Sequence, residues 1–238
     1  MGSGIYVAAA GAVAQSSALD VTANNIANAS TTAFHGERVT FHEALARARS
    51  ADVTLVGNQT ATSVVQQAGP MTATGNPLDI ALEGDGYFAV DAPQGVRYSR
   101  AGALHLGADG RIVNVDNLPV RGVGGAPLIV PAGTSQLLIG ADGSVATEAG
   151  PIGQLELVRF AEAQLTRDGA TLVAARGAPI AGPPPSVLQG TLEGSNVNIV
   201  RGVVELVQVS RTYESLLRVI EGFQTIESRA ARDIGGPK

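Results

Sequence analysis

The sequence predicts an α+β protein in which a helix at each end of the chain flanks a central all-β domain of short antiparallel strands and hairpins. Near both termini, apolar residues recur at spacings of three and four, the pattern of a helix that buries one seam. Thirty glycines and twelve prolines among 238 residues indicate many turns, which suit short strands better than a helical bundle. We predict that the two terminal helices pair as a coiled-coil-like α domain.

Residues 4–27 are predicted to be helical because alanine, the best helix former, dominates them. Residues 28–32 should end this helix, since Asn, Ser and Thr side chains compete for backbone hydrogen bonds. The small side chains allow a neighbouring helix to approach closely but bury little area. We therefore expect the N-terminal segment, residues 1–32, to be weakly helical alone and to become ordered with partners.

Residues 33–75 are predicted to form an extended connector. Phe34, Val39 and Phe41 suggest a short extended piece, and residues 43–49 are predicted to make one or two helical turns. The polar stretch 50–75 is expected to be extended or mobile.

The central β domain is predicted over residues 76–185. Its strand candidates are 80–82, 87–90, 97–99 and 154–160, separated by glycine- and proline-containing turns. Residues 104–112 resemble residues 137–145, and both are predicted to be hairpins that turn at Asp-Gly. The proline-rich stretch 177–186 is predicted to be a stiff linker.

The C-terminal segment, residues 186–238, is predicted to contain a linker and a helix over about 198–232, capped by Ser195 or Asn196. Glycine and proline at 235–237 should end the helix. A single amphipathic helix can pack on its own core, but a long helix with a second seam at the opposite terminus favours packing between chains. This pattern predicts assembly.

Composition argues against several other functions. The net charge is −5, no basic run occurs and aromatic residues make up 4%, so nucleic-acid binding is poorly supported. Cysteine is absent, which excludes disulfides, thiol catalysis and Cys-ligated metals. Asp20 is the first charged residue, and the N-terminal apolar run is short. We therefore expect no cleaved signal peptide and no direct membrane insertion.

Candidate chemical groups are few. His35, His42 and His105 are scattered and are expected at surfaces or turns rather than around a metal. Asp79, Glu83 and Asp85 could supply acid–base chemistry, but no second catalytic group accompanies them. We predict no catalytic, metal or cofactor site and no small-molecule substrate. A wall-acting extracytoplasmic enzyme and a binding module remain as alternatives.

Three stretches of the chain resemble a known family. Residues 19–34, LDVTANNIANASTTAF, resemble the signature ANN[IL]ANxxTxG[FY] of the flagellar axial family of rod, hook and hook-associated proteins. Ala33 stands where that family usually has glycine. Similar matches lie at the centre and near the C-terminus, in residues 74–90, 98–102, 190–198 and 211–214.

The resemblance implies a structural subunit of the bacterial flagellar basal-body rod, without enzymatic activity, that helps carry motor torque to the hook. The chain length and the opening residues 4–9 favour a proximal rod protein, with a distal rod protein as the alternative. The implied route is the flagellar type III export apparatus, without a cleaved signal. The implied partners in the periplasmic rod are copies of the chain and other rod proteins.

Two sets of residues are expected to mediate assembly. Asparagines of the signature should also satisfy backbone groups where the first helix meets the connector. The N-terminal set is Ile5, Ala12, Leu19, Asn24, Asn25, Ile26, Asn28 and Phe34, and the C-terminal set is Leu206, Val209, Tyr213, Leu216, Ile220 and Phe223.

Overall fold

The computed structural model describes residues 2–47, 54–134 and 136–235, and the chain divides into two compact units. The first unit consists of Met1–Ile26, Glu37–Thr62 and Asn198–Lys238. The second consists of Ala27–Gly36 and Ser63–Val197. The backbone therefore crosses between the units at 26/27, 36/37, 62/63 and 197/198.

The elements confirm a helix at each end and a central region of short antiparallel strands. The helices are α1 (Gly2–Ala27) and α2 (Ile199–Gly235). The strands are β1 (Glu37–Arg47), β2 (Thr54–Val64), β3 (Met71–Ala73), β4 (Ile80–Glu83), β5 (Tyr87–Ala92), β6 (Gly95–Ser99), β7 (His105–Leu106), β8 (Ile112–Val113), β9 (Leu137–Ile139), β10 (Ser144–Thr147), β11 (Gly150–Gln154), β12 (Leu157–Val158), β13 (Leu165–Arg167), β14 (Leu172–Ala175), β15 (Ser186–Gln189) and β16 (Thr191–Glu193).

The two helices of the first unit lie against each other in antiparallel orientation. A β-carbon built on Gly4 would lie 3.1 Å from Phe223 Cζ, near the start of α1 and the C-terminal half of α2. A β-carbon built on Gly202 would lie 2.9 Å from Ile26 Cγ1, at the opposite end of the pair. Glycine thus permits the close approach that the small-residue composition predicts.

The start of α2 is capped by a different residue from the two predicted. Asn198 Oδ1 accepts the Arg201 N–H at 3.0 Å, which is the N-cap interaction. The prediction of Ser195 or Asn196 was wrong because both side chains bond elsewhere. Ser195 Oγ accepts the Val197 N–H at 3.2 Å, and Asn196 bonds to distant backbone.

The predicted connector contains paired strands. β1 and β2 form a two-stranded sheet, so the predicted helical turns at 43–49 were wrong over residues 43–47. Residues 48 and 49 lie outside the described residues. Pairing with β2 and the β-branched and aromatic residues Val39, Thr40 and Phe41 outweigh the helical propensity of the following residues.

The second unit is built from short antiparallel strands. A five-stranded sheet has the order β12-β5-β6-β14-β13, and a three-stranded sheet has the order β11-β10-β9. Two further pairs, β15 with β4 and β16 with β3, join the segment before α2 to earlier strands of the second unit. We call strands β3 to β16 and their connections the β region. The main core contains the fully buried side chains of Ile80, Leu82, Phe88, Ile112 and Leu155.

The two repeats fold as the sequence predicts. β7 pairs with β8 and β9 with β10, and both connections turn at Asp-Gly. Gly110 and Gly143 have φ values of 78° and 82°, the left-handed region that glycine adopts without strain. In each turn the preceding aspartate, Asp109 or Asp142, accepts a backbone N–H two residues later, at 3.2 and 3.0 Å.

Ala33 adopts a conformation that suits glycine. Its φ is 51°, in the left-handed region, where the β-carbon clashes with the following carbonyl oxygen. The Ala33 N–H donates to the Glu193 carbonyl at 2.8 Å, which holds the backbone in place.

We expect Ala33→Gly to raise the free energy of unfolding by about 1 kcal/mol, because glycine removes the left-handed strain. Urea denaturation of the purified chain measures the change. Ala81→Gly, in the buried strand β4, is the matched control and should lower stability by about 1 kcal/mol. Equal destabilisation by both substitutions would contradict the assignment of strain to Ala33.

Candidate functional site

The predicted seam of α2 is the less exposed face of that helix. Between residues 203 and 229, the half-buried positions are Ser210 and six predicted residues, and the others in this range are exposed. A β-carbon built on Gly11 of α1 would lie 3.4 Å from Leu216 Cδ1, in the middle of this face. We call these six residues the α2 seam: Leu206, Val209, Tyr213, Leu216, Ile220 and Phe223.

The predicted seam of α1 faces inward as well. Ala12 is buried, and Ile5, Leu19 and Ile26 are half-buried. These four residues form the α1 seam. The close approaches at Gly4, Gly11 and Gly202 place Phe223 and Leu216 of the α2 seam and Ile26 of the α1 seam where the two helices meet.

A second apolar face of α2 is open to solvent. Val200, Val203, Val204 and Val207 follow the i, i+3, i+4, i+7 spacing of one helix face and are between 46% and 76% exposed. We call these four residues the valine stripe. On α1, Tyr6, Val7 and Val13 are more than half exposed. Contiguous exposed apolar residues of this kind mark protein interaction surfaces.

Asn25 fastens the end of α1 to the start of β1. Its Nδ2 donates to the Glu37 carbonyl at 2.7 Å, and its Oδ1 accepts the Glu37 N–H at 2.9 Å. Asn28 braces the following turn, since Thr31 donates to its carbonyl and its side chain. Asn25 and Asn28 therefore satisfy backbone groups after the helix, while Asn24 is exposed.

Phe34 is fully buried in the second unit. The Arg167 guanidinium lies 4.3 Å from the centre of its ring and also donates to the His35 carbonyl. The Phe34 side chain therefore packs within its own chain.

A buried ionic cluster centres on Glu193, whose side chain has no exposed surface. Its Oε1 accepts the Gly69 N–H at 3.0 Å and lies 2.9 Å from His35 Nε2. Its Oε2 accepts a hydrogen bond from Arg100 Nε at 2.8 Å. The expectation that His35 lies at a surface or turn was wrong, because only 5% of it is exposed.

Arg100 links the cluster to the backbone around β4. Its remaining N–H groups donate to the carbonyls of Leu82, Gly84 and Gly86 at 2.7 to 2.9 Å. Burial raises the pKa of the Glu193 carboxyl, but the hydrogen bond from His35 and the charge of Arg100 outweigh it. The pKa therefore lies below its ordinary value of 4.5, and the carboxylate stays ionised.

Sequence reasoning missed this cluster. Arg100 and Glu193 are 93 positions apart, and no local pattern marks them as partners. The available signal was that both residues lie within the stretches that resemble the flagellar axial family.

The acidic turn has a structural role. Asp79 is buried and accepts hydrogen bonds from Thr74 Oγ1 at 2.6 Å and Asn76 Nδ2 at 2.9 Å. Asp85 is exposed and lies 3.6 Å from Arg159. Asp79 thus braces the turn before β4.

The described residues contain neither a metal-binding group of side chains nor a membrane-spanning helix. Across residues 2–47, 54–134 and 136–235, no three acidic or histidine side chains are grouped closely enough to hold a metal ion. Within the same ranges, neither helix combines the length and the hydropathy needed to cross a membrane.

Comparison with known proteins gives full-length matches. The chain is 31% identical over 229 residues to the flagellar basal-body rod protein FlgF of Caulobacter vibrioides, covering 91% of each chain. It is 33% identical to FlgG of Agrobacterium fabrum, covering 97% of this chain and 98% of the relative. The chain belongs to the flagellar basal-body rod protein family. FlgF of Rhizobium meliloti matches along the whole of both chains at 28% identity.

Three family models match different segments of the chain. The flagella basal body rod protein model matches residues 5–34, which include the α1 seam and the asparagine signature. The FlgE/F/G D1 domain model matches residues 81–147 in the β region. The FlgEFG C-terminal model matches residues 188–232, which hold Glu193, the valine stripe and the α2 seam.

Because Glu193 is ionised in the folded chain, we expect the stability of the fold to fall in acid. The lowered pKa of Glu193 contributes stability that is present above pH 4.5 and is lost as pH falls through the lowered pKa. We expect Glu193→Gln to lower the free energy of unfolding by about 3 kcal/mol at pH 7 and to reduce the loss of stability as the pH falls below 4.5.

Urea denaturation at pH 7 and at a series of lower pH values, with unfolding monitored by circular dichroism, measures both effects. Glu83→Gln, at an exposed position at the end of β4, is the control and should leave the acid dependence unchanged. An acid dependence in Glu193→Gln as steep as that of the unmodified chain would argue against this role.

Proposed function

We propose that this protein is a structural subunit of the bacterial flagellar basal-body rod. The observation that carries the proposal is the match to basal-body rod proteins along the full chain. The exposed valine stripe supports it, because a monomer gains nothing from leaving such a face in water. The protein acts by polymerising and bearing torque, without catalysis and without a cofactor.

We propose that the terminal segments 1–32 and 186–238 contribute the helices of an axial α domain. Residues 33–75 connect this domain to the β domain of residues 76–185. The inward-facing seams and the close glycine contacts support a coiled-coil-like pairing of α1 and α2.

Assembly then uses the faces that the helix pair leaves open. The valine stripe lies on the N-terminal half of α2, whereas Tyr6, Val7 and Val13 lie on the N-terminal half of α1. Because the helices are antiparallel, these unlike patches lie toward opposite ends of the pair. Contacts between unlike patches are heterologous and generate an open helical polymer.

The partners in this proposal are copies of the chain and other rod proteins in the periplasmic rod. Subunits reach the rod through the flagellar type III export apparatus without a cleaved signal peptide. An alanine-rich α1 that buries little area supports this route, because such a helix is easily kept unfolded until it meets partners.

We place the subunit in the proximal rod, as an FlgF protein, and keep a distal FlgG role as the alternative. Relatives named FlgF and FlgG both match over most of the chain. The opening residues 4–9, GIYVAA, favour the proximal assignment because distal rod proteins usually open with a Leu-Trp pair. Labelling this subunit in isolated basal bodies tests the position.

We expect the double substitution Val203→Asp and Val207→Asp to abolish swimming and rod completion. Two carboxylates on the valine stripe oppose burial against a neighbour but leave the seams within the chain intact. The measurements are swimming in soft agar and electron microscopy of isolated basal bodies, with circular dichroism of the purified chain to show unchanged helicity.

The matched control is Gln208→Asp with Ser215→Asp, which adds the same charge at exposed polar positions of α2. This control should retain rods and swimming. By contrast, Leu216→Asp with Ile220→Asp, in the α2 seam, should also lower the helicity of the isolated chain. Normal swimming of the Val203/Val207 variant would refute assembly through the stripe.

A further inference from the structure

Three of the four backbone crossings between the units are connected inside the second unit. The segments that lead to these crossings are residues 33–36, 63–67 and 193–197. These segments are distant in sequence, yet hydrogen bonds from side chains and from backbone N–H groups hold their backbones together. These hydrogen bonds lie where the chain leaves the second unit, outside its apolar core.

Three residues, one from each segment, form a closed ring of hydrogen bonds. The Val65 N–H donates to the Gly36 carbonyl at 2.8 Å. The Gly36 N–H donates to Asn196 Oδ1 at 2.8 Å, and Asn196 Nδ2 donates to the Val65 carbonyl at 3.1 Å. Asn196 Nδ2 also donates to the Gln67 carbonyl at 2.7 Å, so both ends of this side-chain amide bind backbone of the other two segments.

The buried ionic cluster ties the same three segments a second time. Glu193 binds the Gly69 N–H just beyond the second segment and faces His35 in the first. His35 Nδ1 lies 2.9 Å from the Val65 carbonyl. Arg100 then anchors Glu193 to backbone carbonyls of the β region.

We propose that Gly36, Val65, Glu193 and Asn196, together with His35, form a force-bearing junction at the edge of the second unit, where the chain leaves that unit for β1, β2 and α2. This inference rests on the proposed function as a rod subunit. A pull along α1 or α2 reaches the second unit through Ala27 or Val197. The junction shares that force among three backbone segments, so no single strand is peeled from its sheet.

The bonds between the first and last segments lie directly on this force path. The Ala33 N–H donates to the Glu193 carbonyl at 2.8 Å, and the Asn196 N–H donates to the Phe34 carbonyl at 3.1 Å. Pulling the two chain ends apart loads these bonds together with the bonds of the Asn196 side chain. Hydrogen bonds loaded side by side must break together, which resists force better than breaking them in turn.

Asn196→Asp tests the junction with little change in shape. Aspartate keeps an acceptor for the Gly36 N–H but loses both donors, and it places a charge against the carbonyls of Val65 and Gln67. The control is Val145→Ala, in the main core, which lowers stability without touching the junction. Thermal unfolding of both variants establishes how far each is destabilised.

The purified full-length chain is held by its two ends in an optical trap. We expect the force that opens the second unit to fall roughly twofold in Asn196→Asp. For the same loss of thermal stability, Val145→Ala should lower this force by less. Glu193→Gln should behave like Asn196→Asp. Equal force loss in the junction and core variants would overturn the proposal.

The second arm uses flagellated cells in media of rising viscosity. We expect the fraction of motors still rotating at high load to fall roughly twofold in Asn196→Asp but not in Val145→Ala. If the opening force falls while tolerance of load matches that of the control, the junction has no role in torque. That result leaves the rod-subunit assignment intact, which the valine-stripe variant tests separately.

Discussion

An ionised carboxylate that is closed to solvent must be matched by cations and N–H donors, and Glu193 places this constraint at the boundary of the second unit. Its partners come from distant parts of the chain: His35 after α1, Gly69 before β3 and Arg100 after β6. Satisfying one carboxylate therefore fixes the neighbouring backbone of each segment. Removing a single partner leaves a buried charge unmatched, which costs more than the pair itself contributes.

The two compact units meet different physical demands. The second unit has a core of fully buried apolar side chains and a buried polar cluster whose members satisfy one another. The first unit leaves the valine stripe in water, while the α2 seam is the less exposed face of its helix. In the proposed assembly, neighbouring subunits cover this exposed face and so add stability to the helices.

Local patterns predicted those parts of the fold that local physics decides. The α2 seam follows from helical spacing, and the hairpins at Gly110 and Gly143 follow from Asp-Gly turn chemistry. Residues 43–47 were misassigned because strand pairing outweighs helix propensity. The α2 cap was misassigned because Asn196 bonds to backbone more than 120 positions away. Glu193 and Arg100 were missed because their pairing depends on tertiary structure.

We expect the three segments at which the chain leaves the second unit, residues 33–36, 63–67 and 193–197, to open only when the core of that unit opens. Native-state hydrogen exchange tests it most directly on the N–H groups of Gly36 and Gly69, bonded to Asn196 and Glu193. The reference is the Ala89 N–H in β5, bonded to the Glu156 carbonyl. The account predicts the same free energy of opening for all three amides. Rapid exchange at Gly36 and Gly69 while Ala89 remains protected would contradict it.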